Sequence, residues 1–278
     1  MAETSPAQPL RLRYSALSDV GRHRKDNQDS GYASDRLLVV ADGVGGAAYG
    51  DVASATAVQL LRKLDDGEAP PEEMLTLLAG AVHRVHDRLA EMVEQDKELD
   101  GTSTTVTAAL FDGERLGFAH IGDSRAYLLR DGELSQLTHD HTFVQTLIDE
   151  GRISEDEAKV HPHRNIILRA VDGVHDTEPD LFHLQLQPGD RVLLCSDGCT
   201  GGVGDPDLAR LLADGSVDST ALALVQAALD GGSTDNVTVV VAEVVDAAAA
   251  DDPDLAAAAT GPMLVGAAAH QPRRGGGV

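Results

Sequence analysis

The chain has 278 residues, 42% of them apolar, which is enough to fill the core of one large layered domain or two average ones. Its 46 acidic residues against 22 basic ones give a formal charge of −24, and with 3% aromatics and no Trp it offers a polyanion neither counter-charge nor stacking platforms, which argues against nucleic-acid binding. Two cysteines, Cys195 and Cys199, make neither a disulfide framework nor a four-ligand zinc set and fit a reducing, cytoplasmic setting; the opening "MAETSPAQPLRLR" lacks the apolar centre of a signal peptide, and no stretch is apolar and long enough for a membrane span.

Residues 1–9 are expected to be flexible and 10–246 to form the folded body. β-branched runs predict strands at 36–41, 103–111, 115–121, 125–130, 191–195 and 236–245, and "RAYLLRDGELSQLT" predicts a hairpin. Helical periodicity predicts helices at 51–64 and 72–95; in the second, Met74, Leu78, Val82, Val85, Leu89 and Met92 share one face. Further helices are expected at 142–150, 205–213 and 218–229, each opening near Thr, Ser or Asp. Residues 247–278 are rich in Ala and Gly, have little to bury, and read as a disordered tail. Strands cluster between helices without alternating strictly with them, which favours an antiparallel core with helices outside.

Asp-Gly pairs recur along the chain, and any one of them reads as a turn. Two differ, because "LLVVAD" and "VLLCSD" put Asp42 and Asp197 directly after runs that must be buried, at the rim of core strands. Asp123 follows "FAHIG" in the same manner, Asp235 precedes "NVTVVVAEV", and Asp29 of "RKDNQDS" stands just before the first of these strands. Carboxylates gathered at one end of a sheet repel one another and rise in pKa unless a polyvalent cation joins them. The donors are all oxygens, with no His or Cys at zinc spacing, so Mn2+ or Mg2+ is expected. In "ADGVGG" the glycines at 43, 45 and 46 let the backbone bend, so that the Gly43 carbonyl can approach an ion held by Asp42.

With these residues in place, the chain resembles the bacterial metal-dependent Ser/Thr protein phosphatases of the PPM (type 2C) family. The likeness runs in order through "SDVGRHRKDNQDS", "LLVVADGVGG", "GTSTTVTAAL", "IGDSRAYLLRDG", "LTHDHTFVQTLIDEGRISEDEA", "HPHRNIILRAVDG", "VLLCSDGCTGGV" and "STDNVTVVVAEV". It implies an α+β fold, a four-layer αββα sandwich of two antiparallel β-sheets flanked by α-helices, with metals at one end. It further implies that Asp42 bridges two ions, that the Gly43 carbonyl binds one of them, and that Asp197 and Asp235 complete the first site. By the same resemblance Asp29 lies near the bridging water, Asp123 serves a third, weaker site, Gln28 meets the second metal through water, and Arg24 holds substrate phosphate. Asn236 shapes the Asp235 turn, and 142–164 forms a flap beside the site.

The chemistry so implied is hydrolysis of phosphoserine and phosphothreonine in proteins by a hydroxide bridging two ions, reversing Ser/Thr kinases. Departures from the family pattern are Gln28 in place of Glu, Val44 and Ala47 where a His could protonate the leaving group, and Gly201 where an Asp could serve the third site. A catalytically weak, regulatory or phosphoprotein-binding relative is the alternative.

Overall fold

The computed structural model describes residues 10–44, 49–67, 71–175, 178–247 and 261–270. In chain order it runs β1 (Leu10–Asp19), β2 (Asp29–Ala33), β3 (Leu37–Val44), α1 (Gly50–Leu61), α2 (Met74–Gln95), β4 (Ser103–Thr104), β5 (Val106–Phe111), β6 (Arg115–Ile121), β7 (Arg125–Arg130) and β8 (Glu133–Gln136). There follow α3 (Phe143–Asp149), α4 (Glu155–Lys159), β9 (Asp180–Gln185), β10 (Arg191–Cys195), α5 (Asp197–Thr200), α6 (Asp205–Ala213), α7 (Val217–Asp230), β11 (Val237–Asp246), β12 (Met263–Gly266) and α8 (Ala267–His270).

The strands form two antiparallel sheets. One has the order β1-β11-β10-β7-β8; the other has the order β12-β2-β3-β5-β6-β9, with β4 paired to β3 beside it. Period-2 alternation sorts each strand between two cores. Leu38 and Val40 of β3 meet Val192 and Leu194 of β10 and Val240, Ala242 and Val244 of β11 between the sheets. Leu37, Val39 and Ala41 face the other way, into a core with α1 and α2. On the opposite flank Leu193, Cys195, Val239 and Val241 pack against α6 and α7. The expected four-layer αββα sandwich is therefore present, held by three apolar layers. The β7–β8 hairpin turns on Asp131 and Gly132, both at positive φ, which suits the strand twist that a two-residue loop must match.

The C-terminal region corrects the sequence reading. Residues 261–270 are ordered: β12 pairs antiparallel with β2 (Met263↔Ala33, Gly266↔Ser30), and Ala267 and Ala268 are buried against the α1–α2 layer. The apolar run Met263-Leu264-Val265 is short, but a partly built sheet edge supplies its backbone hydrogen bonds, and alanine lets α8 approach closely. The expected flexibility of 1–9 and the remainder of the expected tail, 248–260 and 271–278, lie outside the described residues. Among the described residues no helix is long and apolar enough to cross a membrane.

Candidate metal centre

Five strand ends from both sheets deliver the acids to one rim of the sandwich. Asp29 opens β2 and stands opposite Asp42 of β3 in the antiparallel register. Asp197 starts α5 directly after β10, Asp123 follows β6 across Gly122, and Asp235 precedes β11. Asp29 and Asp123 are buried; Asp42, Asp197 and Asp235 are partly exposed at the mouth.

The backbone at Asp42 is fixed from both sides. Its N–H donates to Thr105 Oγ1 at 2.9 Å, and its carbonyl accepts from the Thr105 N–H and the Thr104 hydroxyl, each at 2.9 Å. Asp29 is held by Ser196, whose Oγ donates to Asp29 Oδ2 at 2.7 Å and accepts from the Thr238 N–H at 3.0 Å. Asn236 does more than shape its own turn. Its Oδ1 accepts from the Gln28 N–H at 2.8 Å and its amide donates to the Val20 and Asp26 carbonyls, so it ties the β1–β2 loop to the Asp235 turn.

Burial and mutual repulsion raise four of the carboxyls, those of Asp29, Asp42, Asp123 and Asp197. Burial, then repulsion by Asp29, Asp197, Asp123 and Asp235, pushes Asp42 well above the usual carboxylate range. Burial raises Asp29 to about 7 even though the Ser196 and Thr238 hydroxyls pull it back. Burial and the nearby Asp235 raise Asp197 to about 6, and burial with Asp197 and Asp140 raises Asp123. Asp123 Oδ1 and Asp197 Oδ1 are buried with no hydrogen-bond partner. Orphaned buried oxygens in an all-oxygen donor set fit a hard divalent cation. Among the described residues no group of three or more His, Cys, Asp or Glu side chains is placed to hold a metal ion as the side chains stand.

Two expected roles acquire a different local basis. A Cβ on Gly43 would overlap the Gly50 and Gln28 carbonyls, so glycine at 43 is required first by this crossing of α1 and the β1–β2 loop over β3. Gly45, Gly46 and Ala47 lie outside the described residues. Arg24 pairs with Asp235 Oδ2 at 2.6 Å, with both side chains substantially exposed. Gln28 places its side chain beside Gly50, and its N–H and carbonyl are engaged by Asn236, Gly43 and Ser54.

Sequence reasoning gave no role to Ser196, Thr104, Thr105 or any histidine. His141 is buried; its Nδ1 accepts from the Gly122 N–H at 3.0 Å, and its Nε2 faces both Asp180 Oδ2 at 3.0 Å and the Arg169 guanidinium at 2.7 Å. It thereby supports the turn that presents Asp123. The block "GTSTT" and the Ser before Asp197 were visible signals, but their partners are distant in the chain.

The protein phosphatase 2C family model matches residues 18–230, and that span contains every acid on this rim except Asp235. The chain belongs to the protein phosphatase 2C family. This family member is 52% identical over 237 residues to the serine/threonine protein phosphatase PstP of Mycobacterium tuberculosis, which covers 85% of this chain and 46% of that protein. It thus spans about half the length of that relative. It is also 36% identical over 235 residues to the serine/threonine phosphatase stp of Listeria welshimeri, covering 81% of this chain and 93% of that one. The M. tuberculosis PstP crystal structure superposes with a TM-score of 0.81 at 51% identity, covering 84% of this chain and 98% of that one. The PstP catalytic domain in complex with two manganese ions gives 0.80 at 50% identity, covering 85% and 100%.

Proposed function

We propose that this phosphatase 2C-family chain hydrolyses phosphoserine and phosphothreonine monoesters in proteins, with Mn2+ or Mg2+ as cofactor. The observation that carries the reading is the meeting of Asp29, Asp42, Asp123, Asp197 and Asp235 on one rim with two orphaned carboxylate oxygens among them. Relatives of this sequence are named Ser/Thr phosphatases, and the similar PstP catalytic domain carries two manganese ions.

Asp42, Asp197 and Asp235, with the Gly43 carbonyl, are the residues to hold a pair of ions; Asp123 serves a third and Gln28 acts through water. When bound, such ions supply charge neutralisation and acidification of water. The protein contributes the rest. Asp29, fixed by Ser196, sits beside Asp42 at the position from which a carboxylate can orient a water and take up its proton. The Arg24–Asp235 pair is exposed and worth under about 1 kcal/mol, so the guanidinium can turn to a phosphoryl group at little cost and hold it through its planar fork. Residues 142–164, carrying α3 and α4, form the segment beside which a phosphoprotein docks; Ser154 and Glu157 close a capping box that fixes α4.

The natural substrates are products of Ser/Thr kinases, and the free thiols of Cys195 and Cys199 suit a cytoplasmic location. Phosphate release from a phosphothreonine peptide tests the assignment: it is expected with Mn2+, and EDTA or Asp197→Asn is expected to abolish it. Turnover that survives both would overturn the metal-dependent reading.

A further inference from the structure

The C-terminal segment 263–270 lies beyond the span matched by the family model, yet it reaches the backbone of the metal centre. β12 covers the free edge of β2, the strand that begins at Asp29. Met263 and Val265 pack into the core between the sheets, while Leu264, Ala267 and Ala268 pack into the α1–α2 core, so the added strand is anchored on both faces. At Gly266, with φ +70°, the chain crosses directly over the Asp29 peptide, and a Cβ there would overlap the Asp29 carbonyl.

A buried chain of hydrogen bonds continues from that crossing. The Ala268 N–H donates to Ser30 Oγ at 3.1 Å, Ser30 Oγ is 2.9 Å from Ser54 Oγ, and Ser54 Oγ donates to the Gln28 carbonyl at 2.5 Å. Ser54 has one proton and spends it on Gln28, so Ser30 donates to Ser54, and the relay has a single direction. Ser30 and Ser54 are fully buried. The Gln28 carbonyl also accepts from the Gly43 N–H at 3.1 Å. Three peptides of the rim, those of Gln28, Asp29 and Gly43, are thus braced by a segment more than two hundred residues away in the chain.

We infer that residues 263–270 are a positioning element of the metal centre, acting through Ser30 and Ser54 on the backbone that presents Asp29, Gln28 and Gly43. The inference rests on the proposed function for the meaning of the site. An edge strand with two anchored faces removes backbone freedom at the positions where ligand spacing matters most.

The test uses the full chain. Val265→Asp places a charge in the core between the sheets and undocks β12; Ser54→Ala keeps the strand and breaks the relay. Both are expected to weaken Mn2+ binding, measured by titration calorimetry, by about tenfold or more, and to lower kcat on p-nitrophenyl phosphate with KM little changed. A synthetic peptide of residues 261–270 added to Val265→Asp is expected to restore Mn2+ affinity. If Val265→Asp does not fold, Ser54→Ala decides alone. Variants that melt earlier yet bind Mn2+ as tightly as the parent, with unchanged kcat, would reduce the segment to a structural strand and overturn the inference. Faster amide exchange at Gly43 in the undocked or relay-broken variant, measured in EDTA, reports the bracing without metal or turnover. A parent protein that releases no phosphate would defeat the functional reading while leaving that comparison intact.

Discussion

Ser196 Oγ donates to Asp29 Oδ2 at 2.7 Å across 167 positions of sequence, and in doing so joins β10 of one sheet to β2 of the other. The same hydroxyl accepts from the Thr238 N–H, so one buried serine serves two partners. Its loss takes one of two hydroxyl donors, Ser196 and Thr238, from the buried Asp29 carboxyl and leaves the Thr238 N–H unmatched. Ser196→Ala is expected to lower kcat about 10- to 100-fold with KM nearly unchanged, measured in steady-state assays at saturating Mn2+. An unaltered kcat would remove Ser196 from the machinery.

Stability and metal affinity are expected to depend on pH in opposite directions. Folded-state values of about 7 for Asp29 and about 6 for Asp197 lie above the ordinary carboxylate range, so between roughly pH 4 and 7 the native state binds more protons than the unfolded one. Their favourable contribution is present below the unfolded value and is lost as pH rises through 6 and 7. In EDTA the melting temperature is expected to fall from pH 5 to pH 8. Mn2+ affinity is expected to rise over the same range, with proton release on binding near pH 6. A melting temperature that is flat or climbs with pH in EDTA would contradict this.

Asp197→Asn removes charge from the crowded rim. In EDTA at pH 8 the variant is expected to melt higher than the parent, because both burial and Asp235 oppose the ionised form. With Mn2+ it is expected to lose activity by at least about a hundredfold. Calorimetric melting with and without metal checks both halves.

Arg24→Lys keeps the charge but not the fork. If the guanidinium holds phosphate through two parallel bonds, the lysine variant is expected to lose about tenfold or more in kcat/KM on a phosphopeptide. Because the Arg24–Asp235 pair is exposed, the melting temperature is expected to stay within a degree or two.

Gly198→Ala tests the packing behind Asp197. A Cβ at 198 would overlap the Asn236 carbonyl, so α5 must shift from β11. Destabilisation of roughly 1–3 kcal/mol is expected from denaturant titration.

Much of this was legible because hydrophobic runs ending in an acid carry both a strand and its rim. "LLVVAD" and "VLLCSD" became β3 and β10, with Asp42 inside β3 near its end and Asp197 just past β10 at the start of α5, and the heptad-like face at 72–95 became α2. The strand β2, "DSGYA", is buried throughout yet has no apolar run; its neighbours bury it, and periodicity has nothing to report. Strand β12 was hidden for a related reason, since its three apolar residues matter only beside an edge formed more than two hundred residues earlier. Serine and threonine links such as Ser196–Asp29 and Thr105–Asp42 leave no periodic trace, because each joins groups far apart in sequence. Gly43 shows the limit of reading residue type alone: its missing side chain is demanded by neighbouring backbone, a fact invisible before the chain is folded.

The two-sided sorting of β3 makes its length decide where Asp42 stands. Odd-numbered side chains from Leu37 to Ala41 serve the helical flank and even-numbered ones the seam between the sheets, with Asp42 next in the even series. Inserting one residue after Val40 would send the acid toward the helices and forfeit the cradle outright. Inserting two would restore its face yet carry it about 6.7 Å farther out, past the carboxylates it must meet.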